Sequence, residues 1–146
     1  MSRMLVIGVG NALRGDDAAG LHVARQLAAS GIAEVHEASG ETASLMALWQ
    51  GADCVMLADA AQSGAEPGTV TRLDASIQAL PAAFLHCSTH AFGVAEAVEL
   101  ARSLGSLPAK ILIFGIEGAS FEHGAPLSPG VEAGVARAVE MIKAEL

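Results

Sequence analysis

Acidic and histidine side chains occur at three points where they could act on one substrate or bind one ion. Asp16 and Asp17 are adjacent and follow the first apolar run of the chain. Asp59 directly follows another apolar run, and His90 lies where a helix is predicted to begin. Two carboxylates and an imidazole form a mixed oxygen and nitrogen donor set that suits a first-row divalent ion such as zinc or nickel. Three protein ligands would leave coordination positions open for water or substrate.

The first apolar run, residues 4–9 (MLVIGV), predicts the strand that would position the paired acids. Unbroken Val, Ile and Leu without alternation are typical of a strand buried on both faces of a parallel sheet. Asp16 stands at the N-cap position of the helical pattern that follows, which predicts that its carboxylate caps that helix. The first strand would therefore deliver two carboxylates to its C-terminal end, where ligands bind in open α/β sheets.

The rest of the chain alternates predicted strands and helices. Further strands are predicted at residues 32–38, 54–58, 69–73 and 110–115, and further helices at residues 42–50, 88–104 and from 128 onward. The gap between Asp59 and Thr69 is too short for a crossover helix, so the strand that starts there should run antiparallel to the one before it. The order βαβαββαβα predicts a three-layer α/β/α sandwich on a mostly parallel five-stranded sheet. In a 2-1-3 strand order, Asp17 and Asp59 would lie close together.

Composition limits the class of partner. The chain has 146 residues, is 52% apolar, and carries a net charge of −8 from 8 basic and 16 acidic residues. A charge of this sign argues against nucleic acid or an anionic membrane as a partner, since both require clustered Lys and Arg. No apolar stretch reaches membrane-spanning length, and Cys54 and Cys87 form neither a CxxC motif nor a disulfide framework. We expect one domain over residues 1–146, monomeric and cytoplasmic.

The same side chains are also compatible with simpler roles and with different chemistry. Asp59 could cap the loop after its strand, and His90 could simply bond to backbone at a helix start. A dinucleotide fingerprint would require glycine where Leu13 stands, and no P-loop lysine accompanies the acids. Cys87 lies three residues before His90, but that spacing does not by itself aim a thiol at a base, so a thiol hydrolase is the weaker hypothesis. No GxSxG elbow for a serine hydrolase occurs.

Four segments together resemble a known family. In chain order, GVGNALRGDDAAG, VMLADA, CSTHAFG, and FGIEG followed by LSPGVEAGVARAVE are similar to the hydrogenase maturation proteases, over essentially the whole chain. The resemblance implies an endopeptidase that removes a C-terminal extension from the large-subunit precursor of a nickel-iron hydrogenase. It also implies a five-stranded twisted sheet between helices. The implied nickel-recognition site consists of Asp17, Asp59 and His90.

The resemblance further implies that the metal belongs to the substrate. Nickel already inserted in the precursor would be bound by Asp17, Asp59 and His90, with the two carboxylates catalytic and zinc or cadmium able to substitute. The second acid of the pair is often Glu in this family, so Asp17 is a shorter ligand, and Ala18 stands where many relatives carry Gly. Asp16 is expected to support the site rather than bind the metal. A non-catalytic nickel-dependent checkpoint protein and a flavodoxin-like nucleotide-binding module remain alternatives.

Overall fold

Strands and helices alternate in the predicted order in the computed structural model, which describes residues 3–32, 34–81 and 93–146. The strands are β1 (Met4–Val9), β2 (Val35–Ala38), β3 (Cys54–Ala61), β4 (Val70–Asp74) and β5 (Lys110–Glu117). The helices are α1 (Ala19–Ala29), α2 (Thr42–Trp49), α3 (Val94–Leu104) and α4 (Pro129–Glu145), and a short 3₁₀ turn (Gly15–Ala18) precedes α1.

The strands form a mixed sheet in the order β2-β1-β3-β5-β4. β1 pairs in parallel with β2 and β3, and β3 pairs in parallel with β5. β4 is the antiparallel strand, and its partner is β5. The mostly parallel sheet, the single antiparallel strand and the 2-1-3 order are confirmed. β4 does run opposite to β3, but the two are not neighbours because β5 lies between them.

The sheet separates two apolar layers, because successive side chains of a strand point to opposite faces. One layer packs the sheet against α2 and α3, and the other packs it against α1 and α4. The first layer includes Leu5, Ile7, Val55, Leu57, Ile111 and Ile113, and the second includes Val6, Met56, Ala58, Leu112, Phe114 and Ile116. The three-layer α/β/α sandwich is therefore confirmed. Within the described ranges, no helix is both long enough and apolar enough to cross a membrane.

Several element boundaries differ from prediction: β2 begins at Val35 rather than at residue 32, β5 continues to Glu117, and two further differences lie beside the site. β3 continues to Ala61, so Asp59 lies inside the strand rather than after it. The strand continues because Asp59, Ala60 and Ala61 all pair with β5. α3 begins at Val94 after an extended Gly93. The predicted helix start at residues 88–90 lies outside the described residues.

Glycines bring α1 directly onto the centre of the sheet. A Cβ added to Gly20 would lie 2.2 Å from the Ala58 oxygen and 2.3 Å from the Val9 oxygen. A Cβ added to Gly8 would lie 2.2 Å from the Gly20 oxygen. Real Cβ atoms do not approach so closely, so both positions require glycine unless the backbone moves. The contact places the 3₁₀ turn, which immediately precedes α1, beside the C-terminal part of β1 and β3.

Candidate active site

Asp59 is a buried carboxylate on a central strand. It pairs with Gly115 of β5, and strand alternation puts its side chain on the face that carries Val55 and Leu57. The residue is 3% exposed. One carboxylate oxygen accepts a hydrogen bond from the backbone N–H of Ala60 at 2.8 Å.

The environment of Asp59 favours its protonated form. Burial raises the pKa of this carboxyl well above its ordinary value, and the neighbouring charge of Asp17 raises it further. The hydrogen bond from Ala60 opposes the rise but is the smallest of the three effects. A carboxyl group with a raised pKa keeps its proton at higher pH than an ordinary carboxyl group, which is the kind of change that suits a carboxyl to general acid–base catalysis.

Asp17 is held by the backbone of the loop after β1. Its N–H donates to the Arg14 oxygen at 3.0 Å, and its own carbonyl oxygen accepts from the Asn11 N–H at 3.3 Å. A Cβ added to Gly10 would lie 2.0 Å from the Asp17 oxygen, so this close contact requires glycine. The residue is 3% exposed. The 3₁₀ turn that contains Asp17 contacts β3, and the charge of Asp17 acts on the Asp59 carboxyl, so the two acids lie at the same end of β1 and β3.

Asp16 points away from this pair and into the connection between β5 and α4. Its carboxylate accepts hydrogen bonds from the N–H groups of Ala119 at 2.8 Å, Ser120 at 2.9 Å and Ser128 at 2.8 Å, and from the Ser128 hydroxyl at 2.8 Å. Burial alone would raise the pKa of Asp16, but these hydrogen bonds outweigh it and hold the pKa below its ordinary value. The predicted helix cap is wrong, because all four donors are more than a hundred residues away in sequence.

The third predicted ligand, His90, lies outside the described residues, as does Cys87. In the part of the chain that the structure describes, no group of three or more His, Cys, Asp or Glu side chains could hold a metal ion. Asp17 and Asp59 offer carboxylate oxygens, which are suitable ligands for a divalent cation. A complete site requires at least one further donor besides these two.

Glu117 is a buried acid that the sequence pattern did not bring forward as a site residue. It is the last residue of β5 and is 4% exposed. Its carboxylate accepts hydrogen bonds from the Ser63 N–H at 3.0 and 3.1 Å, the Ser63 hydroxyl at 2.7 Å and the Gly64 N–H at 3.2 Å. The available signal was an acid at the end of the apolar run ILIFGIE, the same pattern that drew attention to Asp59.

Known proteins are similar to this chain in sequence and in fold. Residues 21–145 match the model of the hydrogenase maturation protease family. The chain is 34% identical to the hydrogenase 2 maturation protease of Escherichia coli (strain K12), over 99% of this chain and 90% of that relative. The solved structure of the hydrogenase maturating endopeptidase HybD from E. coli is 29% identical, with a TM-score of 0.77 over 99% of this chain and 91% of that one.

A second solved structure agrees. The [NiFe] hydrogenase maturation protease HybD from Thermococcus kodakarensis is 29% identical, with a TM-score of 0.78 over 97% of each chain. The chain therefore belongs to the hydrogenase maturation protease family. This membership confirms the resemblance found in the sequence and makes the chain a protease by class.

Proposed function

We propose that this protease removes the C-terminal extension from the large-subunit precursor of a nickel-iron hydrogenase after nickel has been inserted. The observation that carries the proposal is the pair of buried carboxylates, Asp17 and Asp59, at the carboxyl edge of the sheet in a chain of this family. The similarity of this chain to a hydrogenase 2 maturation protease, a hydrogenase maturating endopeptidase and a [NiFe] hydrogenase maturation protease supports the choice of substrate.

In this proposal nickel is part of the substrate. Asp17, Asp59 and His90 bind the nickel that the precursor already holds, and this contact brings the scissile peptide bond to the carboxylates. The sequence contains no HExxH motif, the helix that commonly holds a protease's own zinc, which favours a metal supplied by the partner. Positioning of this kind can lower a barrier by roughly 7–11 kcal/mol at the limit.

The carboxylate pair then carries the proton transfers of hydrolysis. An ionised carboxylate takes a proton from water as the water oxygen attacks the scissile carbonyl carbon. The C–N bond breaks, and the same group passes this proton to the nitrogen of the released extension. Without the precursor, the raised pKa of Asp59 favours its protonated form, and binding of nickel would release that proton because a metal ligand must be deprotonated. The pair ends the reaction with the same number of protons with which it began.

The other properties expected of the protein belong to the same proposal. The enzyme would act in the cytoplasm as a monomer, on a soluble precursor, without nucleic acid or membrane. The net charge of −8 supports the exclusion of polyanionic partners.

The experiment that tests the function compares one precursor in two metal states. Purified protein is incubated with nickel-loaded and nickel-free precursor, and the products are followed by mass spectrometry. We expect loss of a C-terminal peptide from the loaded precursor only, and zinc added to the protease should not restore cleavage of the nickel-free form. Cleavage of both forms would contradict the nickel requirement. Stable binding of the loaded precursor without cleavage would favour the checkpoint protein instead.

A further inference from the structure

One stretch of backbone contacts both the turn that contains Asp17 and the chain that follows Asp59 in β3. It runs from Glu117, the last residue of β5, to Ser128, which precedes α4, and we call it the β5–α4 segment (residues 117–128). At its first residue, the Glu117 carboxylate accepts hydrogen bonds from Ser63, which follows β3. At its last residue, Ser128 donates hydrogen bonds to the buried Asp16 carboxylate.

On one side, the β5–α4 segment holds the turn that contains Asp17. The Asp16 carboxylate receives its four hydrogen bonds from this segment, and the Asp16 N–H donates back to the Ser120 oxygen at 2.8 Å. The Gly124 N–H donates to the Leu13 oxygen at 2.7 Å. These hydrogen bonds leave the turn little freedom to shift. Asp17 directly follows Asp16 in this turn, so its backbone is held as well.

On the other side, the same segment holds the chain that follows Asp59. The Glu117 carboxylate receives hydrogen bonds from Ser63 and Gly64, and the Gly118 N–H donates to the Ala61 oxygen at 3.0 Å. These contacts fix the end of β3 just beyond Asp59. The turn of Asp17 is thus joined to the segment through Asp16, and the chain after Asp59 is joined to it through Glu117.

Ser128 makes a hydrogen bond to Asp16 in place of a capping hydrogen bond within its own helix. Ser128 is the N-cap residue of α4, where a serine hydroxyl normally accepts a hydrogen bond from the first turn of its own helix. Here its side chain makes no capping bond, and its hydroxyl donates to Asp16 instead. Buried polar groups whose hydrogen bonds are all satisfied in this way form rigid networks.

We propose that Asp16 and Glu117 are positioning residues of the reaction, which fix the separation and orientation of Asp17 and Asp59 through the β5–α4 segment. This proposal rests on the proposed function. The chemical need is clear, because a displacement of about 1 Å from productive geometry can lower a rate by about 10²-fold.

The experiment uses the full-length protein and two variants that remove a charge with little change of shape, Asp16→Asn and Glu117→Gln. Neither amide can accept all the hydrogen bonds that the carboxylate accepts, because its NH₂ group is a donor. Glu140→Gln, at an exposed position of α4, is the matched control. We expect kcat for nickel-loaded precursor to fall at least tenfold in both variants while KM stays within about threefold, as for loss of transition-state interactions alone.

Two milder variants test the proposal if Asp16→Asn and Glu117→Gln do not fold. Ser63→Ala and Ser128→Ala each remove one hydroxyl donor and keep the backbone donors. We expect a smaller fall in kcat from each, about threefold to tenfold. Folded variants with unchanged kcat would overturn the proposal and leave the proposed function intact.

A structural measurement separates the two proposals if the wild-type protein cuts no precursor. That result would contradict the proposed function, and crystal structures of the wild type and the variants would then decide the positioning role alone. A change of about 1 Å in the separation of the Asp17 and Asp59 carboxyl carbons would support it. A separation unchanged within coordinate error would overturn it.

Discussion

Gly20 of α1 lies against the carbonyl oxygen of Ala58 in β3, with no space for a side chain between them. A Cβ at Gly20 would approach that oxygen to 2.2 Å. The residue that follows Ala58 is Asp59, and the residues that precede Gly20 include Asp17. This contact between helix and strand therefore limits how far the backbone of α1 can lie from the strand that carries Asp59.

We predict that Gly20→Ala lowers both stability and activity. The methyl group forces α1 away from β3, and overpacking of this kind costs about 1–3 kcal/mol. For a domain of this size, each kcal/mol shifts Tm by about 2–4 °C. Gly130→Ala is the control, since its nearest contact would be 3.3 Å from the Pro67 oxygen and alanine suits a helix. Equal Tm values for the two variants, measured by calorimetry, would contradict the packing argument.

Asp59→Asn should stabilise the fold at neutral and higher pH. Burial and the Asp17 charge raise the pKa of Asp59, so the folded protein holds this proton at pH values where the unfolded chain has lost it. Stability from this group is then complete below the unfolded pKa and is lost as pH rises through the folded pKa. We expect the variant to exceed the wild type in Tm at pH 8 and the difference to shrink towards pH 4. A constant difference between these pH values would show that ionisation of Asp59 is not its cause.

The same substitution should abolish most of the activity. Asp59→Asn keeps size and polarity but removes the group that exchanges a proton, and we expect precursor cleavage to fall at least tenfold, or about 1.4 kcal/mol of transition-state stabilisation. Asp53→Asn, at the exposed residue just before β3, is the matched control and should cleave normally. The measurement is the initial rate on nickel-loaded precursor. Normal cleavage by the folded Asp59→Asn variant would show that Asp59 is not catalytic.

Cysteine chemistry should be dispensable. Cys54 lies at the start of β3, at the other end of the strand from Asp59, and burial raises the pKa of its thiol, which makes it a poor nucleophile. We expect the double variant Cys54→Ser, Cys87→Ser to cleave precursor at a rate within about twofold of the wild type. A loss of activity that follows Cys87→Ser alone would revive the thiol hydrolase hypothesis.

Local sequence patterns predicted the elements near the site better than the contacts between them. The buried strands β1, β3 and β5 follow from apolar runs, and the shared edge of Asp17 and Asp59 follows from the 2-1-3 order. The partners of Asp16 could not be predicted, because Ser128 is 112 residues away and no local pattern encodes that contact. The partners of Glu117 could not be predicted for the same reason, since Ser63 lies 54 residues earlier, although its place at the end of an apolar run was visible in the sequence.

The last prediction concerns metal binding by the protease itself. Asp17 and Asp59 supply oxygen donors at one edge of the sheet, and His90 is the third ligand that the family resemblance implies. A crystal soaked in Cd²⁺ or Ni²⁺ should show the ion bound by these three side chains, weakly, because the precursor is expected to supply the remaining ligands. His90→Ala should reduce the affinity for Cd²⁺, measured by calorimetry, while His123→Ala, at an exposed position, should not. Ion density only at other positions, or equal affinities for the two variants, would remove His90 from the site.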